Sequence, residues 1–276
     1  MTDTSNYLDP GAIPPTTNNA EFFSPAYLER RRRALESAAQ AAGFEGIDEL
    51  DPKLPAGHAY AIRTSTRLTS YTKRHQRKAA TDITPQEVID VLNAAGVKSW
   101  VLIGLHGYVG YMPSPRATQD VDVMVTYSER NRANKAVAAR WSELVVRELS
   151  QVTRFLDPLD LDFEGKPKPV VDLMHPWAPF QELILKEYMV VDQETQHRIP
   201  TVEAALTSKY AAMRSTDRDR ANREYDAADF RRLVRANRDR IRRDDLHRLA
   251  GLVWEGAADE IDRFIEIALS DEPFPI

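Results

Sequence analysis

The spacing of apolar residues along the chain changes several times, and each change predicts an element. From Thr84 to Gly96, Val88, Val91, Leu92 and Ala95 recur every three or four residues, the spacing of one helix face. Thr84, Pro85 and Glu87 supply its cap, first-turn proline and capping box, and Gly96 its stop. A solidly apolar run, Trp100 to Ile103, then reads as a strand that turns at Gly104. After a loop rich in Gly and Pro, the run Gln119 to Val125 alternates strictly, sending Val121, Val123 and Val125 to one face and Asp120 and Asp122 to the other.

Helical spacing returns at Ala133, Val137, Trp141, Leu144, Val145 and Glu148, so one long helix is expected over 128–149, capped by Ser128. Gln151 to Leu156 alternates like a strand, and Asp157 to Lys168 reads as a polar connection broken by Pro158, Gly165 and Pro167. A β-branched run around Val170 and Val171 holds Asp172. Beyond it come a short helix near Phe180 to Lys186, extended pieces at 187–192 and 197–200, and a helix capped by Thr201 with Val202, Ala205, Leu206, Tyr210 and Met213 as its stripe. Three further helices are expected at Ala221 to Val234, Asp245 to Trp254 and Ala257 to Leu269.

The N-terminal part is less regular. Residues 1–20 are polar and aperiodic, the pattern of a mobile tail. Ser24 and Pro25 open a helix that Gly43 closes, and 44–80 reads as a surface connection whose later half is basic and rich in Thr and Ser. The resulting plan is an α+β chain with a small mixed sheet flanked by helices. It divides into a tail (1–20), an N-terminal helix and connection (21–80), a catalytic domain (84–200) and a C-terminal helical region (201–276).

Composition narrows the function. Apolar residues at 42% of 276 positions support a sizeable core. A net charge of -5 gives no global attraction for polyanions, so any such contact needs a local patch. With no cysteine there is no thiolate nucleophile or disulfide. No pair of histidines has metal-ligand spacing, so no zinc site is expected. The polar N-terminus and the lack of a long apolar run predict a cytoplasmic protein with no membrane partner. Arginines crowd the stretch 214–248 but are interleaved with aspartates and glutamates, the pattern of surface ion pairs.

The chemistry centres on Asp120 and Asp122, two carboxylates about two strand rises apart on one face, able to share divalent cations. Asp172, on a later strand separated from them by a helix, is in the order that lets a third carboxylate reach the same point.

This ordered set resembles the nucleotidyltransferase superfamily with a DNA polymerase β-like fold, and within it the abortive-infection-type toxin nucleotidyltransferases. The likeness rests on the apolar strand ending at Gly104, His106 and Gly107 in the turn, the run Arg116-Ala117-Thr118-Gln119-Asp120-Val121-Asp122, Asp172 in Val-Val-Asp-Leu, and Lys209 with Asp226 and Asp229 farther on. It spans roughly Thr84 to Val234. Leu105 stands where the family usually has a second small residue. The resemblance implies Mg²⁺ or Mn²⁺ on Asp120, Asp122 and Asp172, with these three as the catalytic residues and an NTP as substrate. The implied nucleotide contacts are Gly104, Leu105, His106, Arg116, Thr118 and Lys209. It further implies an RNA (tRNA), protein or small-molecule acceptor and an antitoxin partner. The alternatives left open are an inert partner-binding module of the same fold and an RNA-binding protein using its Arg-rich helices.

Overall fold

The computed structural model describes residues 55–76, 80–191 and 196–276, together with scattered helical positions between 26 and 40. The expected tail and most of the helix between Ser24 and Gly43 lie outside the described residues.

The centre is a five-stranded sheet of β1 (Trp100–Leu102), β2 (Val121–Val125), β3 (Val145–Glu148), β4 (Val152–Leu161) and β5 (Pro167–Met174) in the order β1-β2-β5-β4-β3. The β2–β5 pair is parallel and the other pairs are antiparallel. Alternation along β2 does what its sequence implies: Val121, Val123 and Val125 are buried in the main core with Phe155, Val171 and Leu173, while Asp122 points to the opposite face.

Helix α1 (Pro55–Gln76) precedes α2 (Pro85–Ala94), whose start is fixed by the full capping box. Thr84 Oγ1 accepts from Glu87 N, and Glu87 Oε2 accepts from Thr84 N at 2.9 Å. The five-residue α3 (Gly104–Tyr108) follows β1 directly, and α4 (Arg130–Arg140) follows β2. Beyond the sheet come α5 (Pro179–Glu187), the two-stranded ribbon of β6 (Met189–Val191) and β7 (Arg198–Pro200), α6 (Val202–Arg214), α7 (Arg220–Asn237), α8 (Arg243–Ala250) and α9 (Ala257–Leu269). The last four pack on one another and extend the main core through Leu206, Phe230, Leu246 and Phe264.

Three local expectations change. The stretch read as a surface connection contains the 22-residue α1. Apolar burial is confined to its first half, at Ala59, Ala61 and Ile62, and the rest of its inward face is polar, with Ser65, Thr69 and Lys73 buried, so no apolar stripe runs the length of the helix. The helix expected over 128–149 ends at Arg140, and Val145–Glu148 form an edge strand with all four residues exposed. The capping residue is Glu129, not Ser128. Its carboxylate accepts from the N–H groups of Lys98 and Ser99 and so fixes the entry to β1. Finally, β4 runs through Pro158 to Leu161, because a register irregularity between Asp157 and Leu161 accommodates a proline that lacks a donor.

Candidate metal and nucleotide site

Two strands and one turn build the site. Asp122 and Asp172 are register partners on the parallel pair β2–β5, and Asp120 precedes β2 by one residue. One carboxylate oxygen from each lies within 4.8 Å of the others. The sequence could propose this meeting but not fix it, since 50 residues separate Asp122 from Asp172 along the chain. The strand order supplies it, because β5 crosses back to lie beside β2.

Gly104 closes the other side. It adopts φ +57°, and a Cβ there would fall 1.9 Å from Asp122 Oδ2. Only a residue without a side chain allows the turn to approach that carboxylate so closely. Ile103 N donates to Asp122 O at 2.9 Å, which holds turn and strand together.

Crowding disturbs the acids. Burial, then the neighbouring Asp120 and Asp172, push Asp122 well above the usual carboxylate range. Burial also raises Asp120, against its own backbone hydrogen bond and that from Thr118. Asp172 is lifted to about 6 by burial, although Arg154 opposes the rise with Nε 3.3 Å from Oδ2. The other oxygen, Asp172 Oδ1, is buried without a hydrogen-bond partner. A buried carboxylate oxygen lacking a donor, beside two further carboxylates, is the environment that a hard cation with oxygen ligands would relieve. The three residues therefore fit Mg²⁺ or Mn²⁺.

No protein-family model matches the chain, and no curated protein matches it. Among solved structures it is similar to an antigenic nucleotidyltransferase-like protein from Paracoccidioides brasiliensis, at 12% identity over 77% of this chain and 97% of that one, with a TM-score of 0.36. It is also similar to JHP933 from Helicobacter pylori, at 16% identity over 67% of this chain and 85% of that one, with a TM-score of 0.37.

The remaining expected nucleotide contacts divide. Thr118 Oγ1 donates to Asp120 Oδ1 at 3.3 Å and so belongs to the acidic cluster. Lys209 bridges Asp226 at 2.9 Å and Asp229 at 3.1 Å, and its Nζ lies 4.8 Å from the centre of the Tyr108 ring. Burial pulls this ammonium down, but Tyr108, Asp226 and Asp229 outweigh it and hold the group charged. Its charge also reaches Asp122. Arg116 pairs with Asp229 at 3.0 Å while remaining half exposed. Leu105 and His106 are buried: Leu105 joins the main core, and burial holds the His106 imidazole neutral, with its pKa lowered to about 3. His106 is thus a packed residue whose ring is held within the protein.

Sequence reasoning missed two contributors. Arg154 is the cross-strand partner of Asp172, legible only once the register is known. The other is α1. Ser65 Oγ donates to Arg116 O at 2.6 Å, Thr118 N donates to Thr69 Oγ1 at 3.1 Å, and the Lys73 ammonium acts on Asp120. Residues 65 and 69, one helix turn apart, thus engage 116 and 118, while Lys73, one turn farther on, donates to Thr81 O at 3.0 Å and reaches Asp120 only through its charge. Two concavities of about 310 and 360 Å³, beside Arg263 and beside Glu203, share no residue with the acidic cluster.

Proposed function

We propose that the chain is a metal-dependent nucleotidyltransferase that moves a nucleoside monophosphate from an NTP onto an acceptor hydroxyl. The observation that carries this reading is the convergence of Asp120, Asp122 and Asp172 against the glycine turn at Gly104. A bound Mg²⁺ or Mn²⁺ would supply charge neutralisation on the transferred and leaving phosphates. Asp120 and Asp122 would hold it, and Asp172 would face the acceptor. In the transfer the acceptor oxygen bonds to the α-phosphorus, the bond from that phosphorus to pyrophosphate breaks, and the hydroxyl proton passes to a carboxylate. A pKa near 6 suits Asp172 to that role close to neutral pH. Lys209 and Arg116, anchored by Asp229, set a positive field beside the phosphates. The finer reading is a toxin that modifies RNA or a protein hydroxyl and is restrained by an antitoxin; it rests on the sequence resemblance.

The test is incubation with α-³²P-labelled NTPs, total RNA and protein extract in the presence of Mg²⁺ or Mn²⁺. Label is expected to move to one acceptor class and to be lost in Asp120→Asn and Asp122→Asn, both still folded by circular dichroism. Transfer that survives both substitutions would remove the proposal.

A further inference from the structure

Most arginines of the C-terminal helices are already spent on carboxylates. Arg218 pairs with Asp226, Arg220 with Glu224, Arg232 with Asp229, Arg243 with Asp262 and Arg248 with Glu187. Two other groups of arginines differ.

The first lies on the sheet. Register pairs Arg147 of β3 with Arg154 of β4, Arg154 with Asp172 of β5, and Asp172 with Asp122 of β2. Paired residues project from the same sheet face, so two arginines lead in line from the open edge strand to the acidic cluster. Like charges directly opposite each other on neighbouring strands are unfavourable unless an anion lies between them. Arg147 is exposed and has no carboxylate partner among the described residues. Arg154 gives one donor to Asp172, yet its side chain remains 44% exposed, so the rest of its five-donor fork is turned outward. This row lies across Asp172 from the Gly104 turn, on the acceptor side of the proposed reaction.

The second is on α1. Arg63, Arg67, Tyr71 and Arg74, spaced by three and four residues, share one exposed face opposite the buried Ser65, Thr69 and Lys73. The helix contains no Asp or Glu, and none of the three arginines has a carboxylate partner among the described residues. Its inner face is the one that grips 116–118 beside the site. Tyr71, stacked on His75, adds an exposed aromatic surface to the cationic face.

We propose that these two arginine groups hold the phosphodiester backbone of an RNA strand, its terminal ribose presented to Asp172. Guanidinium groups spaced along a surface match successive phosphates, and an interleaved ring offers a base a stacking platform. RNA is favoured over DNA because its terminal ribose offers a pair of neighbouring hydroxyls where the acceptor oxygen must stand. The destination of that terminus rests on the proposed transfer reaction; the backbone grip does not.

Fluorescence anisotropy with labelled unfractionated tRNA, and with single-stranded DNA as a second arm, tests the grip on the full chain. Two variants, Arg147→Glu and the triple Arg63→Ala, Arg67→Ala, Arg74→Ala, alter only exposed side chains. Each is expected to bind tRNA at least about tenfold more weakly at low salt, and the triple to flatten the dependence of log Kd on log salt by roughly two units. Both should keep the parent's melting temperature and its upshift with Mn²⁺ and a non-hydrolysable NTP analogue. Binding by both variants equal to the parent's, absence of tRNA binding by the parent at low salt, or tighter binding to DNA than to tRNA would each overturn the inference. A parent chain that shows the Mn²⁺-NTP upshift but binds no tRNA at low salt defeats the strand inference alone. Arginine-dependent tRNA binding without any Mn²⁺-NTP upshift supports the grip and counts against the transfer reaction.

Discussion

Replacing Asp172 by Asn removes one charge from a site where three compete, and the structure sets the size of the effect. Asp172 is 7% exposed and carries a pKa of about 6, against 3.8 for an unperturbed aspartate. Because the folded-state pKa is raised, the folded chain retains a proton that the unfolded chain gives up as pH rises between those values. The associated stability is present below pH 3.8 and lost as pH passes about 6. At 1.36 kcal/mol per pKa unit, the loss is about 3 kcal/mol, or a melting-temperature change on the order of 6 to 12 °C for a chain of this size. Urea unfolding in EDTA from pH 4 to 8 should therefore show the parent losing about 3 kcal/mol relative to Asp172→Asn across that window. Taking the difference between the two proteins cancels the titrating groups remote from the cluster, while relief of Asp122, which the Asp172 charge pushes up, acts in the same direction. Added Mn²⁺ should restore the parent at pH 8 and stabilise the variant, which keeps only Asp120 and Asp122, to a smaller extent. A pH-independent difference, or an equal Mn²⁺ response in both proteins, would show that the acidic cluster is not the strained cation site inferred here.

Gly104→Ala would drive its new methyl into the Asp122 carboxylate and strain a left-handed backbone; a loss on the order of 1 to 3 kcal/mol, with abolition of the Mn²⁺ upshift, is expected by thermal denaturation. Thr69→Val leaves the Thr118 N–H without its acceptor, which should cost about 1 to 3 kcal/mol by urea unfolding and raise the Mn²⁺ concentration needed for half-maximal stabilisation. His106, with its pKa depressed to about 3, contributes stability that is full above pH 6.5 and lost as pH falls toward 3. His106→Gln should accordingly shrink acid destabilisation in that window, measured by the urea midpoint, the reverse of the Asp172→Asn trend. Tyr108→Phe removes the hydroxyl that donates to Asp229 at 2.7 Å, and a loss on the order of 1 to 2 kcal/mol in unfolding free energy should follow.

How much of this was readable from residues alone depended on whether a local rule acted unopposed. Strand β2 was legible because its valines face a core and its acids do not, and α2 because a capping box announces its start. The bounds of α9, Ala257–Leu269, coincide with the expectation because its apolar stripe is uninterrupted. Helix α1 was hidden for the opposite reason: its apolar burial stops at Ile62, and beyond it the buried side is Ser65, Thr69 and Lys73, which bond to polar backbone outside the helix. Val145 and Glu148 continued the spacing of α4 yet belong to a strand, since pairing with Leu156 and Thr153 overrides local propensity. At the site, Asp120, Asp122 and Asp172 stood out by type and order. Arg154 did not, because cross-strand partnership has no signature in one dimension, and Leu105 and His106 turned inward where the motif implied a nucleotide contact.

The matched contacts of Ser65 with 116 and of Thr69 with 118 have a corollary for how this chain tolerates change in length. A helical turn advances about 5.4 Å, and two residues of extended backbone cover nearly 6.6 Å, so the two repeats stay in phase for only a few contacts. Losing a single residue between 116 and 118 would take the 118 N–H away from Thr69 Oγ1 and shift Asp120 out of the cluster. An extra residue before the first rung, among the exposed positions at Pro113 and Ser114, would leave the phase untouched, so insertions should be absorbed there and nowhere else along that span.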